Sequence, residues 1–273
     1  MKKFISYTLL VLIIIYSLFP FVWTVITALK PPEEVFSLPI KYFPSYISFE
    51  NFSNVFIKRD FSKYIFNSFV VSFFSTVFTL ILSFLFAFKL RYVSFKKAMH
   101  VQKILLVIAI IPPVLFVVPL FMLLKVFGLI NNYIGLILSY TFLNFPFAVW
   151  MIYAGFSKIP KEIDYAGYID GFSKISVLFR LLVPLSKPTI SVVAILVFIF
   201  CWNEFLIALT IMPDEKMYTV PVAISMLSGV SIYEIPWGEI NAAVVITTLP
   251  VILLIALFQK WIIEGLTSGS IKG

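Results

Sequence analysis

Six long apolar runs separated by polar stretches set the pattern of this chain, at 4–29, 64–90, 104–127, 133–156, 188–212 and 240–263. A helix rising 1.5 Å per residue needs about 20 such residues to cross a hydrocarbon core of about 30 Å, and every run is long enough. The first run would reach about 39 Å as a helix. It outlasts the roughly 7–15-residue core of a secretory signal and lacks a small-residue cleavage site, so it reads as a retained first span. None of the runs shows the alternation of membrane barrel strands. The pattern predicts an all-α integral membrane protein with six transmembrane helices in one domain over 1–273. Pro112, Pro113, Pro119, Pro146 and Pro250 fall inside spans, where each removes a backbone donor and calls for a kink or a neighbour's help.

Composition agrees. Apolar residues make up 61% of the chain and charged ones 12%, against roughly 45–50% and about 25% in soluble domains. With a mean hydropathy of +1.05, too few polar side chains remain to cover a water-facing surface. A net charge of +8 in a soluble protein would suggest nucleic acid; here the basic residues sit between apolar runs and act as topology signals, and no nucleic-acid partner is expected. The 89–103 loop holds Lys89, Arg91, Lys96, Lys97 and Lys103 without an acid, and the 157–187 loop holds another five basic residues. With Lys2, Lys3, Lys260 and Lys272, one side carries fourteen of the 21, which places both termini in the cytoplasm. On the other side, the 30–63 loop mixes aromatic and charged residues, and the 213–239 loop is acidic.

Catalytic chemistry has little to stand on. The lone Cys201 and the lone His100 rule out an internal disulfide, a cysteine metal cluster and a multi-histidine metal site. Gly265, Gly269 and Lys272 do not make the Gly-x4-Gly-Lys-Ser/Thr loop that cradles nucleotide phosphates. No paired-carboxylate or nucleophile–base constellation appears, so the chain reads as a non-enzyme that binds no metal or cofactor of its own.

The 157–187 loop is the most informative segment. Pro160 suits the first turn of a helix, and Glu162 and Asp164 suit its positive end. Ile163, Ala166 and Gly167 then share one face whose small residues admit another backbone. Gly171 can turn the chain and Ser173 can cap a second helix, where Ile175, Leu178, Phe179 and Leu182 form an apolar stripe. This is a helix–turn–helix elbow on the cytoplasmic face; an interfacial helix pair lying on lipid fits the same pattern.

The elbow resembles the EAA loop of ABC-importer permeases, whose pattern is Glu-Ala-Ala, three residues, Gly, nine residues, Ile, one residue, Leu-Pro. Here the positions are Tyr165-Ala166-Gly167, Gly171, Leu181 and Val183-Pro184. Further stretches are similar to the maltose-type carbohydrate branch: Lys30-Pro31, Glu50-Asn51-Phe52, Asn67-Ser68, Ile111-Pro112, Pro119-Leu120, Gly128-Leu129, Pro146-Phe147, Trp202-Asn203-Glu204-Phe205 and the ending from Gly265-Leu266 to Gly269-Ser270-Ile271-Lys272-Gly273. The resemblance implies a coupling helix seated on a cytoplasmic ATPase, with Glu162, Asp164, Tyr165, Ala166, Gly167, Asp170, Gly171 and Pro184 as ATPase-coupling positions. Tyr165 stands where the family has its acid; either Asp164 next door substitutes for that contact or the second permease supplies the stronger coupling. The resemblance also implies that the tail, through Gly269, Ser270 and Lys272, reaches the ATPase; on the residues alone it is a frayed Gly/Ser-rich terminus.

The partners implied are a second homologous permease, two ATPase subunits that hold the ATP, an extracytoplasmic solute-binding protein and membrane lipid, in the cell membrane of a prokaryote. The solute implied is a sugar or oligosaccharide, with glycerol phosphate or a polyol as the alternative. Glu204 is the one acid well inside a span, and with Trp202 and Asn203 it either lines the translocation path or holds the fifth span by an interhelical hydrogen bond. Asn144 and Asn67-Ser68 read as packing contacts. A stand-alone secondary transporter would call for more intramembrane ionisable groups or inverted repeats, and a membrane-embedded enzyme for a catalytic constellation.

Overall fold

The computed structural model describes residues 2–227 and 235–267, and every element among them is helical. In order these are α1 (Lys2–Ala28), a 3-10 turn, α2 (Glu50–Ile57), α3 (Phe61–Arg91), α4 (Phe95–Ile110), a 3-10 turn (Pro113–Phe116), α5 (Val117–Val126) and α6 (Tyr133–Ser157). There follow α7 (Glu162–Ile169), α8 (Lys174–Ser176), a π-helical stretch (Val177–Leu182), α9 (Val183–Leu185), α10 (Lys187–Asn203), α11 (Leu206–Ile211), a 3-10 turn (Glu215–Met217), α12 (Val220–Met226) and α13 (Trp237–Thr267). Among the described residues four helices are long and apolar enough to cross a membrane unaided, and up to six spans result if each of two bent helix pairs counts as one.

The chain forms two compact units, 1–65 with 222–251 and 66–221 with 252–273. In the first unit α1 leaves the whole of its most apolar window unburied, as a helix surrounded by lipid or a partner does. The segment after α1 is tied by polar contacts. Buried Asn51 donates through Nδ2 to the carbonyls of Ala28 (3.0 Å) and Lys30 (2.8 Å), closing the end of α1. Gly238 makes this possible, because a Cβ there would fall on the Asn51 carboxamide. Lys30 donates to the Lys41 carbonyl at 2.6 Å and lies over the Trp23 ring. Glu34 accepts from Lys41 Nζ (2.6 Å) and from the Ser45 amide (3.0 Å).

The hydrogen bond from Lys41, then those from Ser45, lower the Glu34 carboxyl from 4.5 to about 2. A depressed carboxyl stabilises the folded strap fully above its unfolded value, and that contribution is lost as pH falls from about 4.5 toward 2. Backbone amide exchange over 30–48 is therefore expected to speed up through that window, and Glu34→Gln is expected to remove the pH dependence.

In the second unit α6 is the centre. Asn132 caps it by accepting from the Ile134 amide at 2.8 Å, and it packs chiefly on α4 and α10. Gly155 sets the approach to α10: a Cβ there would stand 3.0 Å from the Thr189 side chain. Leu90, Leu105 and Val149 bring α3, α4 and α6 together in one cluster. At the opposite end of α3, Asn67 donates to the carbonyls of Lys216 (3.1 Å) and Tyr218 (2.9 Å) and accepts from the Tyr133 hydroxyl, while Ser68 accepts from the Val220 amide. Asn67, Ser68 and Asn144 are thus packing contacts, the last donating to the Tyr140 carbonyl one turn back.

Two of the expected spans are broken. In the third, α4 and the helix from 113 to 126 meet at 89°. Ile111 is extended (φ −62°, ψ 126°) because it precedes Pro112, and Pro112 and Pro113 together withhold two backbone donors. The fifth, drawn over 188–212, is α10 and α11 with a break at Glu204 and Phe205.

Candidate functional site

The elbow is fastened to α3 by that helix's last residue. Arg91 and Asp164 are both buried, at 5% and 0% exposure. The guanidinium forks onto the carboxylate, with Nε to Oδ2 at 2.7 Å and Nη2 to Oδ1 at 3.2 Å. Its remaining donors reach the carbonyls of Phe156, Ile159 (2.9 Å) and Pro160 (3.0 Å). These are carbonyls at and beyond the C-terminal end of α6, where intrahelical donors run out; those of Phe156 and Pro160 also accept from the Ile159 and Ile163 amides. One side chain therefore fixes the end of α6, the connection and the first turn of α7. Tyr92 adds a bond to Asp164 (3.0 Å), and its hydroxyl lies 2.7 Å from that of Tyr168. Burial first, then the bonds to Tyr168 and Asp164, push the Tyr92 phenol far above its ordinary range.

The turn itself follows from Gly171. Its φ of +81° is open to glycine at little cost. The Phe172 amide bonds back to the Gly167 carbonyl (2.9 Å) and the Gly171 amide to that of Tyr168 (3.1 Å), the double closure of a Schellman end. Ser173 then caps α8, accepting from the Ser176 amide at 3.2 Å.

The register of α7 differs from the sequence expectation. Glu162, Tyr165, Ala166 and Ile169 form its exposed face, with Tyr165 at 55% and Ile169 at 86% exposure. Asp164 and Gly167 point into the chain instead. Gly167 lies beneath its own elbow, where a Cβ would stand 2.8 Å from Leu181 Cδ1 and 3.1 Å from Val177 Cγ2. Asp164, one of the two alternatives for the family acid's contact, is held by Arg91. Asp170, Gly171 and Pro184 remain exposed. The second arm differs as well: Val177, Leu178 and Leu182 are buried, while Ile175 and Phe179 of the expected stripe are exposed. The wider winding of the π-helical stretch moves side chains off the 3.6-residue register.

Glu204 sits at the break between α10 and α11. Its Oε2 accepts from the Tyr140 hydroxyl (2.8 Å) and the Ala208 amide (3.0 Å), and Oε1 accepts from the Ile207 amide (2.9 Å). It is both the cap of α11 and a bond to α6, as the interhelical reading has it. Trp202 is buried and stacks on Phe198, whereas Asn203 is exposed and returns its amide to the Ile199 carbonyl. Gly269, Ser270 and Lys272 lie outside the described residues. Among the described residues no group of three or more His, Cys, Asp or Glu side chains could hold a metal ion.

Residues 80–267 match the family of binding-protein-dependent transport system inner membrane components. This chain belongs to that family. The permease is 34% identical over 262 residues to the sulfoquinovosyl glycerol transport system permease of Agrobacterium fabrum, covering 96% of this chain and 91% of the relative. It is also 34% identical to the trehalose/maltose transport system permease of Thermococcus litoralis, covering 96% and 94%. A solved bacterial ABC transporter involved in import of the acidic polysaccharide alginate has the same fold, with a TM-score of 0.81 at 18% identity over 96% of each chain. The permease is accordingly a multi-pass subunit of an ABC importer. Its matched stretch takes in Arg91, the elbow and Glu204, and leaves out α1 and α2.

Sequence reasoning missed Arg91, Tyr92 and Tyr168. Arg91 counts there only as one basic loop residue among five. The available signal was an arginine at the end of a span, a position that favours capping of carbonyls.

Proposed function

We propose that this permease carries a sugar or oligosaccharide handed over by an extracytoplasmic binding protein, and that α7 is the helix on which a cytoplasmic ATPase acts. The single observation behind the coupling role is the exposed face of α7, with Tyr165 and Ile169 uncovered on a helix otherwise locked to α3. The solute class rests on the two relatives, both named as permeases for glycosides. ATP binds to two partner ATPases and not to this chain; a second homologous permease completes the pathway, both termini face the cytoplasm, and the 30–63 and 213–239 loops face the binding protein. Coupling then requires only that the ATPase dimer bind the inward-open and outward-open permease with different affinities. An outward face carrying Tyr165 in place of an acid calls for an ATPase cleft that accepts an aromatic ring. A stand-alone secondary transporter fits less well, since Glu204, the acid it would use, is engaged by three donors of its own chain.

Purification of the chain from its native membrane is expected to bring a P-loop ATPase and a second permease in fixed ratio. Single cysteines at 162, 165, 166 and 169 are expected to cross-link to that ATPase, and cysteines at 164 and 167 are not. Uptake by the reconstituted complex should need ATP and the binding protein and should be competed by oligosaccharides. Competition by glycerol phosphate or polyols alone would reassign the solute, and uptake by the chain alone without ATP would overturn the importer reading.

A further inference from the structure

A cleft of about 460 Å³ opens beside the first turn of the elbow, between the end of α3, the start of α4 and the last turns of α6. Its walls are mixed in a particular way. Val93, Phe95, Met99 and Trp150 supply apolar and aromatic surface, and the polar side chains are Arg91, Gln102, Tyr153, Ser157 and Lys161, with no carboxylate among them.

The lining holds unused donors. Gln102 is 93% buried (7% exposed), and its amide nitrogen has no hydrogen-bond partner; a buried donor without an acceptor is uncommon and asks for one. The donors of Arg91 are taken by Asp164 and three carbonyls, and the Ser157 hydroxyl donates to the Tyr153 carbonyl. Lys161 is in none of the ion pairs formed among the described residues, so its charge is the unbalanced one in the lining. Lys96, Lys97 and Lys103 belong to the same acid-free segment.

We propose that this cleft binds the phosphate of an anionic phospholipid, with Lys161 and the Gln102 amide as donors to the headgroup and Phe95 and Met99 against its acyl chain. A basic pocket between helices at the membrane edge, flanked by tryptophan and tyrosine, has the chemistry such a lipid recognises. A soluble phosphate ester shares the headgroup chemistry but leaves the apolar wall uncovered. The site goes beyond the transport reading and does not depend on which solute is carried.

The test is lipid analysis of the intact transporter purified in mild detergent from mixed phosphatidylglycerol–phosphatidylethanolamine membranes. Phosphatidylglycerol is expected to be retained over phosphatidylethanolamine, and Lys161→Gln is expected to cut that preference about five-fold. Lys161→Arg should keep it. Ala154→Trp, on an exposed position of the lining, should abolish retention by filling the cleft without changing charge. Equal retention of both lipids, or retention unchanged in Lys161→Gln and Ala154→Trp transporters that elute as intact complexes, would overturn the proposal. Displacement of the lipid by millimolar glycerol phosphate at constant ionic strength would also overturn it, in favour of a soluble phosphate ester.

Discussion

Arg91→Ala is expected to be the most damaging single substitution in this permease. It leaves Asp164 without its ion-pair partner in a fully buried position and removes one donor each from the carbonyls of Phe156, Ile159 and Pro160. Removing one partner of a buried ion pair costs about 3–5 kcal/mol, enough to lower the melting temperature of the purified complex by roughly 10 °C. Function should fail for a more specific reason, since α7 would lose the side chain that holds it to α3. Arg91→Lys keeps the charge but not the fork, and Asp164→Asn keeps the shape but not the charge. Both are expected to fall between wild type and Arg91→Ala in melting temperature and in ATPase stimulation by loaded binding protein. The order can be read by thermal unfolding and ATP turnover in the same preparations. A wild-type melting curve for Arg91→Ala would refute the role assigned to this residue.

Glu204→Ala carries the second large effect. It strands the buried Tyr140 hydroxyl and the Ile207 and Ala208 amides together. An unsatisfied buried group costs about 1–3 kcal/mol, so a total loss of roughly 3–9 kcal/mol is expected. Glu204→Gln retains a single oxygen for three donors and should lose part of this. Because the carboxylate is held by the chain's own donors, the surviving complex should show a lower yield and melting temperature with the solute KM unchanged. A raised KM at wild-type stability would instead mean that Glu204 touches the solute.

Much of the architecture was legible because apolar runs of spanning length have few other uses. The breaks were half legible. Pro112-Pro113 and Glu204 are plain in the sequence, yet a hydropathy pattern is blind to direction, and only the backbone at Ile111 and the capping geometry at Glu204 show the spans bending there. In the elbow, Gly171 and Ser173 could be read from turn chemistry, which is local. The buried side of α7 could not, because it is chosen by an arginine 73 residues away and by the winding of the segment that follows. Periodicity offered Ile163, Ala166 and Gly167 as one face, whereas Gly167 is needed inside.

α3 has neither proline nor glycine between its ends, and it is bracketed at both: by Asn67 and Ser68 to the 216–220 segment, and by Arg91 to the elbow. The brackets are separated by 24 residues of unbroken helix, about 36 Å. Such a helix is a tie rod. A pull on the elbow tilts or shifts the whole rod and carries the 216–220 segment with it, unless one of the brackets opens. Motion at one face of the membrane is thus geared to motion at the other through a single helix.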